Sequence, residues 1–232
     1  MTASNAKALI VGSGSGLSAS LARLFANEGM AVALAARNTA KLDSLCAETG
    51  ASAFSCDVSD AQQVAALFEK LDNDFGTADV VVFNASARAR GPLIELDAAE
   101  VERAVITTAL GGFHVAQQAA KRMLPRNHGA ILFTGASASV RGYAQSAPFA
   151  MGKFALRGLA QSMARELAPQ GIHVAHFVID GQIGKPAQTA VSSNPDSMLD
   201  PDAIAASYLH LLRQPRSTWT WEMELRPWVE KF

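Results

Sequence analysis

A glycine- and serine-rich segment follows the first apolar run of the chain, residues 8–11, and precedes an amphipathic stretch. Its residues are Gly12, Ser13, Gly14, Ser15, Gly16 and Leu17. A tight glycine turn between a strand and a helix brings backbone N–H groups and the positive end of the helix dipole towards an anion. The spacing fits G-x-x-x-G-x-G, with Ser18 in the last position. The segment predicts a loop that holds the pyrophosphate of a dinucleotide; an ordinary glycine-rich turn is the alternative.

The second apolar run ends at Ala36 and Arg37. Many NAD-binding proteins carry a carboxylate here for the adenosine ribose hydroxyls, and this chain has none. A guanidinium group suits a 2′-phosphate, so Arg37 predicts NADP(H) in preference to NAD(H). The alternative is that Arg37 is a solvated residue at a helix start. Lys41, one turn further on, is either a second charge for the phosphate or a surface residue.

Secondary-structure elements must position these residues. Apolar runs that alternate with amphipathic segments predict alternating strands and helices. We expect strands at 8–11, 31–35, 51–54, 80–83, 130–133, 173–178 and 218–225, and helices at 17–28, 39–48, 61–75, 98–123, 149–167 and 203–212. This alternation predicts an α/β, Rossmann-type, doubly wound and mostly parallel seven-stranded sheet with helices on both faces. We expect one domain over residues 1–232, with 181–201 as a lid over the substrate.

Composition excludes several classes of function. Hydrophobic residues make up 49% of the chain, charged residues 18%, and the formal net charge is −1, so neither disorder nor a nucleic-acid partner is expected. No apolar run reaches the roughly 20 residues that cross a bilayer, and no signal-peptide pattern is present, so we expect a cytoplasmic protein with no membrane partner. Cys46 and Cys56 have no metal-ligand spacing, so no metal site is expected.

Further motifs resemble the short-chain dehydrogenase/reductase family, in the same order and over nearly the whole chain. The stretch from Phe149 to Lys153 stands where the family keeps Tyr-x-x-x-Lys, and Asp180 opens the segment where it has Pro-Gly-x-Ile. The resemblance assigns cofactor contacts to Asp57 and Val58 (adenine), to Asn84, Ala85 and Ser86 (the family's Asn-Ala-Gly), to Lys153 (nicotinamide ribose), and to Gly181 and Ile183 (nicotinamide amide).

The resemblance also implies an activity and an assembly state. Members transfer a hydride between a nicotinamide and a small carbonyl or alcohol substrate, and they pair the long fourth and fifth helices as homodimers or homotetramers. Alanine-rich faces of these helices allow close approach between subunits, although burial in the chain's own core is the alternative. These alanines are Ala116, Ala119, Ala120, Ala155 and Ala160.

The family's proton donor is missing from this chain. In the family a tyrosine hydroxyl protonates the carbonyl oxygen, and the lysine four residues later lowers the tyrosine pKa. Here Lys153 is present, but Phe149 stands at the tyrosine position. The family's serine position falls on Ala136, and a shift of one residue would bring Ser137 into the role. The helix-four asparagine position falls on Ala109.

Four replacements for the donor remain open: a water ordered by Ser137 and Lys153, Ser137 itself, the phenol of Tyr143, and the imidazole of His114. Arg141, beside Tyr143, is expected to be a solvated loop charge, with the binding of a substrate carboxylate as the alternative. The sequence therefore predicts an NADP(H)-dependent oxidoreductase with a non-standard proton donor. The alternative is a catalytically impaired NADP(H)-binding protein that acts as a sensor or scaffold.

Overall fold

The computed structural model describes residues 5–184 and 196–229, and its central feature is one sheet. The strand order is β3-β2-β1-β4-β5-β6-β7, and every neighbouring pair is parallel. The strands are β1 Lys7–Val11, β2 Ala31–Ala36, β3 Ser52–Ser55, β4 Val80–Phe83, β5 Gly129–Thr134, β6 Ile172–Ile179 and β7 Glu222–Leu225. The predicted seven-stranded, doubly wound sheet is confirmed.

Helices connect the strands, largely where they were expected. They are α1 Leu17–Asn27, α2 Asp43–Thr49, α3 Ala61–Asp74, α4 Ala98–Val105, α5 Gly111–Met123, α6 Ala147–Leu167 and α7 Pro201–Leu212. The sequence predicted one helix over 98–123, but a π-helical segment, Ile106–Leu110, separates α4 from α5. Within the described residues, none of the helices has the length and apolarity that a bilayer crossing requires.

The last strand is shorter than predicted. A single 3-10 turn, Arg216–Thr218, precedes it, and β7 begins only at Glu222. The ring of Trp219 stacks on His173 with centroids 4.6 Å apart, which holds this turn against β6 instead of extending the strand.

Both faces of the sheet are buried, which explains the apolar runs in the strands. Successive side chains of a strand point to opposite faces. In β1, Ala8 and Ile10 pack into the cluster that includes α1, α2 and α7, whereas Leu9 and Val11 pack into the cluster that includes α3, α5 and α6.

Three of the described helices begin at an aspartate whose side chain caps them, and α1 does not. Asp60, Asp97 and Asp200 accept hydrogen bonds from first-turn N–H groups of α3, α4 and α7. Helix α1 instead follows Gly16, which has no side chain to cap it. The first backbone N–H groups of α1 therefore remain available to an external anion.

A buried histidine joins β6 to β7. His176 is 0% exposed, its Nδ1 lies 3.1 Å from Glu222 Oε2, and Arg157 pairs with the same carboxylate. Gly135 makes room for the ring, because a Cβ there would lie 2.3 Å from His176 Nε2. Burial lowers the His176 pKa to about 4, although Glu222 opposes the shift.

We predict that this histidine makes the fold sensitive to acid. A histidine with a lowered pKa binds its proton mainly in the unfolded state, so stability falls as pH drops from about 6.5 towards 4. The free energy of unfolding should decrease by about 3 kcal/mol between pH 7 and pH 4, measured by urea denaturation. The free energy of unfolding of His176→Gln should decrease clearly less over the same pH range. An equal loss in both proteins would assign the acid sensitivity to other groups.

Candidate functional site

Two cavities lie side by side at the carboxyl edge of the sheet. The larger has a volume of about 900 Å³ and the smaller about 460 Å³. Asn84 and Ser86, which follow β4, line both cavities. A doubly wound sheet binds its ligands at this edge, because the loops that follow β1 and β4 diverge there. The two cavities together are the candidate site.

Hydrogen bonds hold the glycine loop against the end of β4. Asn84 Nδ2 donates to Ser18 Oγ at 2.7 Å, and Ser18 Oγ donates to the Gly12 carbonyl at 3.2 Å. Ser13 Oγ donates to the Ile10 carbonyl at 2.8 Å. Gly12 has φ +85°, and a Cβ there would lie 2.4 Å from the backbone nitrogen of Ala85. Only glycine fits at position 12.

Only some residues of the glycine loop line the cavities. Leu17 lines the larger cavity and Gly12 and Ser13 line the smaller one, whereas Gly14, Ser15 and Gly16 line neither. A Cβ added at Gly14 or Gly16 would meet no atom within 4 Å. The loop therefore leaves open space beside the uncapped start of α1, as a bound pyrophosphate requires.

The smaller cavity is lined by positive charges. Arg37 and Lys41 line it as exposed side chains, and Arg103, from α4, is a third cation that the sequence did not indicate. Asp57 also lines this cavity, and its carboxylate accepts hydrogen bonds from the backbone and hydroxyl of Ser59. Val58 and Ala85 complete the apolar part of the wall. The sequence could not indicate Arg103, because a charged residue in the middle of an amphipathic helix resembles any solvated charge.

A buried ammonium group lies in the larger cavity. Lys153 is 3% exposed, and its Nζ donates to the Thr134 carbonyl at 2.7 Å. Burial, and then the charge of Arg88, lower the Lys153 pKa to about 7. Phe149 lies one turn earlier on α6, with its ring centroid 5.8 Å from Lys153 Nζ and 4.2 Å from the Arg88 guanidinium carbon.

A buried carboxylate lies near Ser137. Asp180 is 3% exposed and pairs with Arg141 and Arg226, and the nearby Ser137 hydroxyl also favours its charged form. Burial alone would raise the Asp180 pKa, but these arginines outweigh burial and hold it below its ordinary value. Arg141 remains partly solvated, with 38% of its side chain exposed, and it also pairs with this carboxylate 39 residues away, which the sequence did not indicate.

The other candidate donors, Tyr143 and His114, lie in different surroundings from each other and from Tyr208, the second tyrosine of the chain. Tyr143 is 48% exposed and lines the larger cavity, near Arg141. His114 lines neither cavity, and its Nδ1 lies 3.3 Å from the Val58 carbonyl. Tyr208 is fully buried, and its hydroxyl lies 2.9 Å from Thr134 Oγ1. Of these three rings, only that of Tyr143 reaches the larger cavity.

The π-helical segment directs a threonine at the loop after β4. Thr108 is fully buried, and its Oγ1 accepts a hydrogen bond from Ala87 N at 3.2 Å. Its Cβ lies so close to Gly152 that a Cβ added at position 152 would be only 2.9 Å away. Ala109 is only half-buried. Counting three residues back from Gly112 pointed to Ala109, whereas the same count from the adjacent Gly111 gives Thr108, which is the residue that the fold buries.

The described part of the predicted lid contributes to the larger cavity. Gly181 and Ile183 line it, together with Gln182. Leu199 N donates to the Gln182 carbonyl at 2.8 Å, so the two described ends of this stretch are joined. The greater part of the predicted lid, residues 185–195, lies outside the described residues.

We predict that Asp180 stabilises the fold at this edge. Asp180→Asn removes the charge but leaves Arg141 and Arg226, so the free energy of unfolding in urea at pH 7 should fall by about 3 kcal/mol. Glu224→Gln is the matched control, because Glu224 contacts the same Arg226 from an exposed position and should change stability by less than about 1 kcal/mol. Similar losses in both variants would contradict this prediction.

Comparison with known proteins places the chain among proteins of similar fold. Residues 6–192 match the family model of the short chain dehydrogenases. A short-chain dehydrogenase from Rhodopseudomonas palustris is 36% identical, with 97% of this chain and 99% of that one covered and a TM-score of 0.84.

Two further proteins extend the comparison. An alcohol dehydrogenase from the archaeon Thermococcus sibiricus, solved with 5-hydroxy-NADP, is 26% identical, with 97% and 98% covered and a TM-score of 0.84. A D-threitol dehydrogenase from Mycolicibacterium smegmatis is 27% identical, with 88% of this chain and 84% of that protein covered.

Proposed function

Because the chain belongs to the short chain dehydrogenase family, whose members are oxidoreductases, we propose that it transfers a hydride between NADP(H) and a small carbonyl or alcohol substrate. One observation carries the proposal: two cavities meet at Asn84 and Ser86, with Lys153 in the wall of the larger one. This arrangement provides an extended site for a dinucleotide and leaves space beside a titratable ammonium group for a substrate.

The residues present fit a dinucleotide. The glycine loop and the uncapped start of α1 would hold the pyrophosphate, and Asp57 and Val58 line the cavity that suits the adenosine end. Asn84, Ala85 and Ser86 line the passage between the two ends, and Lys153 would bind the nicotinamide ribose. Gly181 and Ile183 would contact the nicotinamide amide from the far wall.

Arg37 favours the phosphorylated form of the nucleotide. In the described residues its guanidinium has no carboxylate partner, and Lys41 and Arg103 line the same cavity. A 2′-phosphate would supply the missing anion. The NADP derivative bound by the archaeal alcohol dehydrogenase supports this choice.

We expect Arg37→Ala to weaken NADPH binding by about tenfold or more and to leave NADH binding nearly unchanged, because only NADPH carries the 2′-phosphate. Fluorescence titration of protein freed of bound nucleotide measures both dissociation constants. Arg165→Ala is the control, since Arg165 is exposed and bonds only to the Gln161 carbonyl. If Arg37→Ala weakened the binding of NADPH and NADH equally, or weakened neither, Arg37 would not be the residue that binds the 2′-phosphate.

Lys153 is the group best placed to supply a proton. Bound NADPH supplies the hydride that converts a carbonyl carbon into an alcohol carbon. The carbonyl oxygen then needs one proton, and a group with a pKa of about 7 exchanges protons readily at neutral pH. We infer that Lys153 delivers it through a water held near Ser137, with the phenol of Tyr143 as the other candidate. Both side chains line the same cavity.

We expect Lys153→Met to lower kcat at least about 10²-fold in carbonyl reduction. The wild-type rate should also fall above pH 7, because the protonated ammonium is the active form and it disappears above its pKa. Tyr143→Phe should leave most of the rate intact. The measurement is NADPH consumption against a panel of small carbonyl compounds between pH 5.5 and 9. If Tyr143→Phe lost the activity and the wild-type rate did not change with pH around 7, Tyr143 would be the proton donor.

A specific observation favours a second candidate function, a catalytically impaired NADP(H)-binding protein. Phe149 has no proton to donate, and its ring is buried beneath Arg88. The variant Phe149→Tyr separates the two functions. If the native protein binds NADPH without consuming it, and Phe149→Tyr consumes it, then the native chain is the sensor or scaffold.

The surface supports an assembly of identical subunits. The alanines expected to mediate close approach are largely core residues, since Ala116, Ala119 and Ala160 are at most 1% exposed. The exposed apolar side chains of this region are instead Leu110, Phe113, Met151 and Phe154. We propose that these side chains pair subunits as a homodimer or homotetramer. The free thiols of Cys46 and Cys56 fit the reducing cytoplasm we propose for the protein.

A further inference from the structure

The larger cavity has three cationic side chains and no acidic one among its described lining residues. Arg88 and Arg90, in the loop after β4, line it together with Lys153. The nearest buried carboxylate, Asp180, is already paired with Arg141 and Arg226. The cavity therefore carries an uncompensated positive charge where the substrate would bind.

The two loop arginines differ from nearly all other arginines of the described chain. Most of those pair with a carboxylate, and Arg165 and Arg216 bond to backbone carbonyls. In the described residues, Arg37, Arg88 and Arg90 alone have neither kind of acceptor. Arg37 is explained by the 2′-phosphate of the proposed cofactor. Arg88 and Arg90 are exposed side chains that line the other cavity, so their donors are open to a different anion.

The loop that carries these arginines is held at both ends. Ala87 N donates to Thr108 Oγ1, and Gly91 N donates to the Gln145 carbonyl at 3.2 Å. Ala89, between the two arginines, is buried. The Arg88 guanidinium lies over the Phe149 ring, a contact that fixes the group while its N–H donors stay free for an anion. The loop backbone and the Arg88 guanidinium are therefore positioned before any ligand arrives, whereas the exposed Arg90 side chain has no such contact in the described residues.

We propose that the substrate carries an anionic group, a carboxylate or a phosphate, which Arg88 and Arg90 bind; this inference rests on the proposed function. Arg88 and Lys153 both lie within 6 Å of the centre of the Phe149 ring. A molecule that contacts both groups therefore has only a few bonds between its anionic group and the reacting oxygen, whatever the size of its remainder. Short oxo acids or hydroxy acids and phosphorylated hydroxy ketones have this form.

Matched pairs of carbonyl compounds test the proposal. Levulinate is compared with its methyl ester, and dihydroxyacetone phosphate with dihydroxyacetone. Dissociation constants are measured by calorimetry with NADP⁺ present, so that no carbonyl is reduced, and again without nucleotide. The anionic member of at least one pair should bind about tenfold or more tightly than its neutral partner. The pair with the larger preference identifies the anion.

Variants connect the preference to the two arginines. Arg88→Gln and Arg90→Gln should each reduce the preference about tenfold, Arg88→Lys should retain part of it, and Arg165→Gln should leave it unchanged. The proposal is overturned if both members of each pair bind equally, or if the preference survives both glutamine variants.

Turnover separates this proposal from the proposed function. An arginine-dependent preference in a protein that consumes no NADPH with any probe would support the anion site and refute the oxidoreductase. Consumption of NADPH with neutral carbonyls only, unaffected by Arg88→Gln, would refute the anion site and leave the oxidoreductase in place.

Discussion

One hydrogen bond, from the Lys153 ammonium to the Thr134 carbonyl, is the interaction on which the candidate site depends. Removing a charged group from water is costly unless other groups compensate, and this ammonium is almost fully buried. Burial lowers the Lys153 pKa to about 7, so that the ammonium group easily loses its proton and its charge. The same compromise makes Lys153 a group that can exchange a proton at neutral pH.

The fold places Lys153 by packing around α6. Gly152, next to it in sequence, lies close to Thr108 in the π-helical segment, which leaves no room for a larger residue. Thr108 also accepts a hydrogen bond from the loop that carries Arg88. A change of helical pitch between α4 and α5 thus connects the ammonium group with the cationic loop after β4.

Charge is divided unevenly between the two sides of the larger cavity. On one side, Asp180 is neutralised by Arg141 and Arg226, close to Ser137. On the other side, Arg88 and Arg90 have no carboxylate partner in the described chain. The first arrangement stabilises the fold, whereas the second leaves binding capacity for a ligand. The residue at position 149 belongs to this second side, as an apolar platform for a guanidinium group.

The sequence by itself determined the sheet, the glycine loop and the absence of a tyrosine at position 149. These features are local: a strand buried on both faces is a run of apolar residues, and a turn such as that at Gly12 needs neighbouring small residues. The sequence also placed Arg37 directly after the second strand and Lys153 in the first turns of a long helix, where position along the chain indicates position in the fold.

Only the tertiary structure decided which charges meet. Arg88 lies over a ring 61 residues away in sequence, and the contact is visible only once β4 and α6 are packed. Arg141 pairs with Asp180 while its side chain stays partly exposed, and Thr108 is the buried residue of the π-helical segment. Such contacts join distant segments, and nothing in local periodicity or composition encodes their pairing. The charge of the substrate cavity is therefore a property of the folded chain.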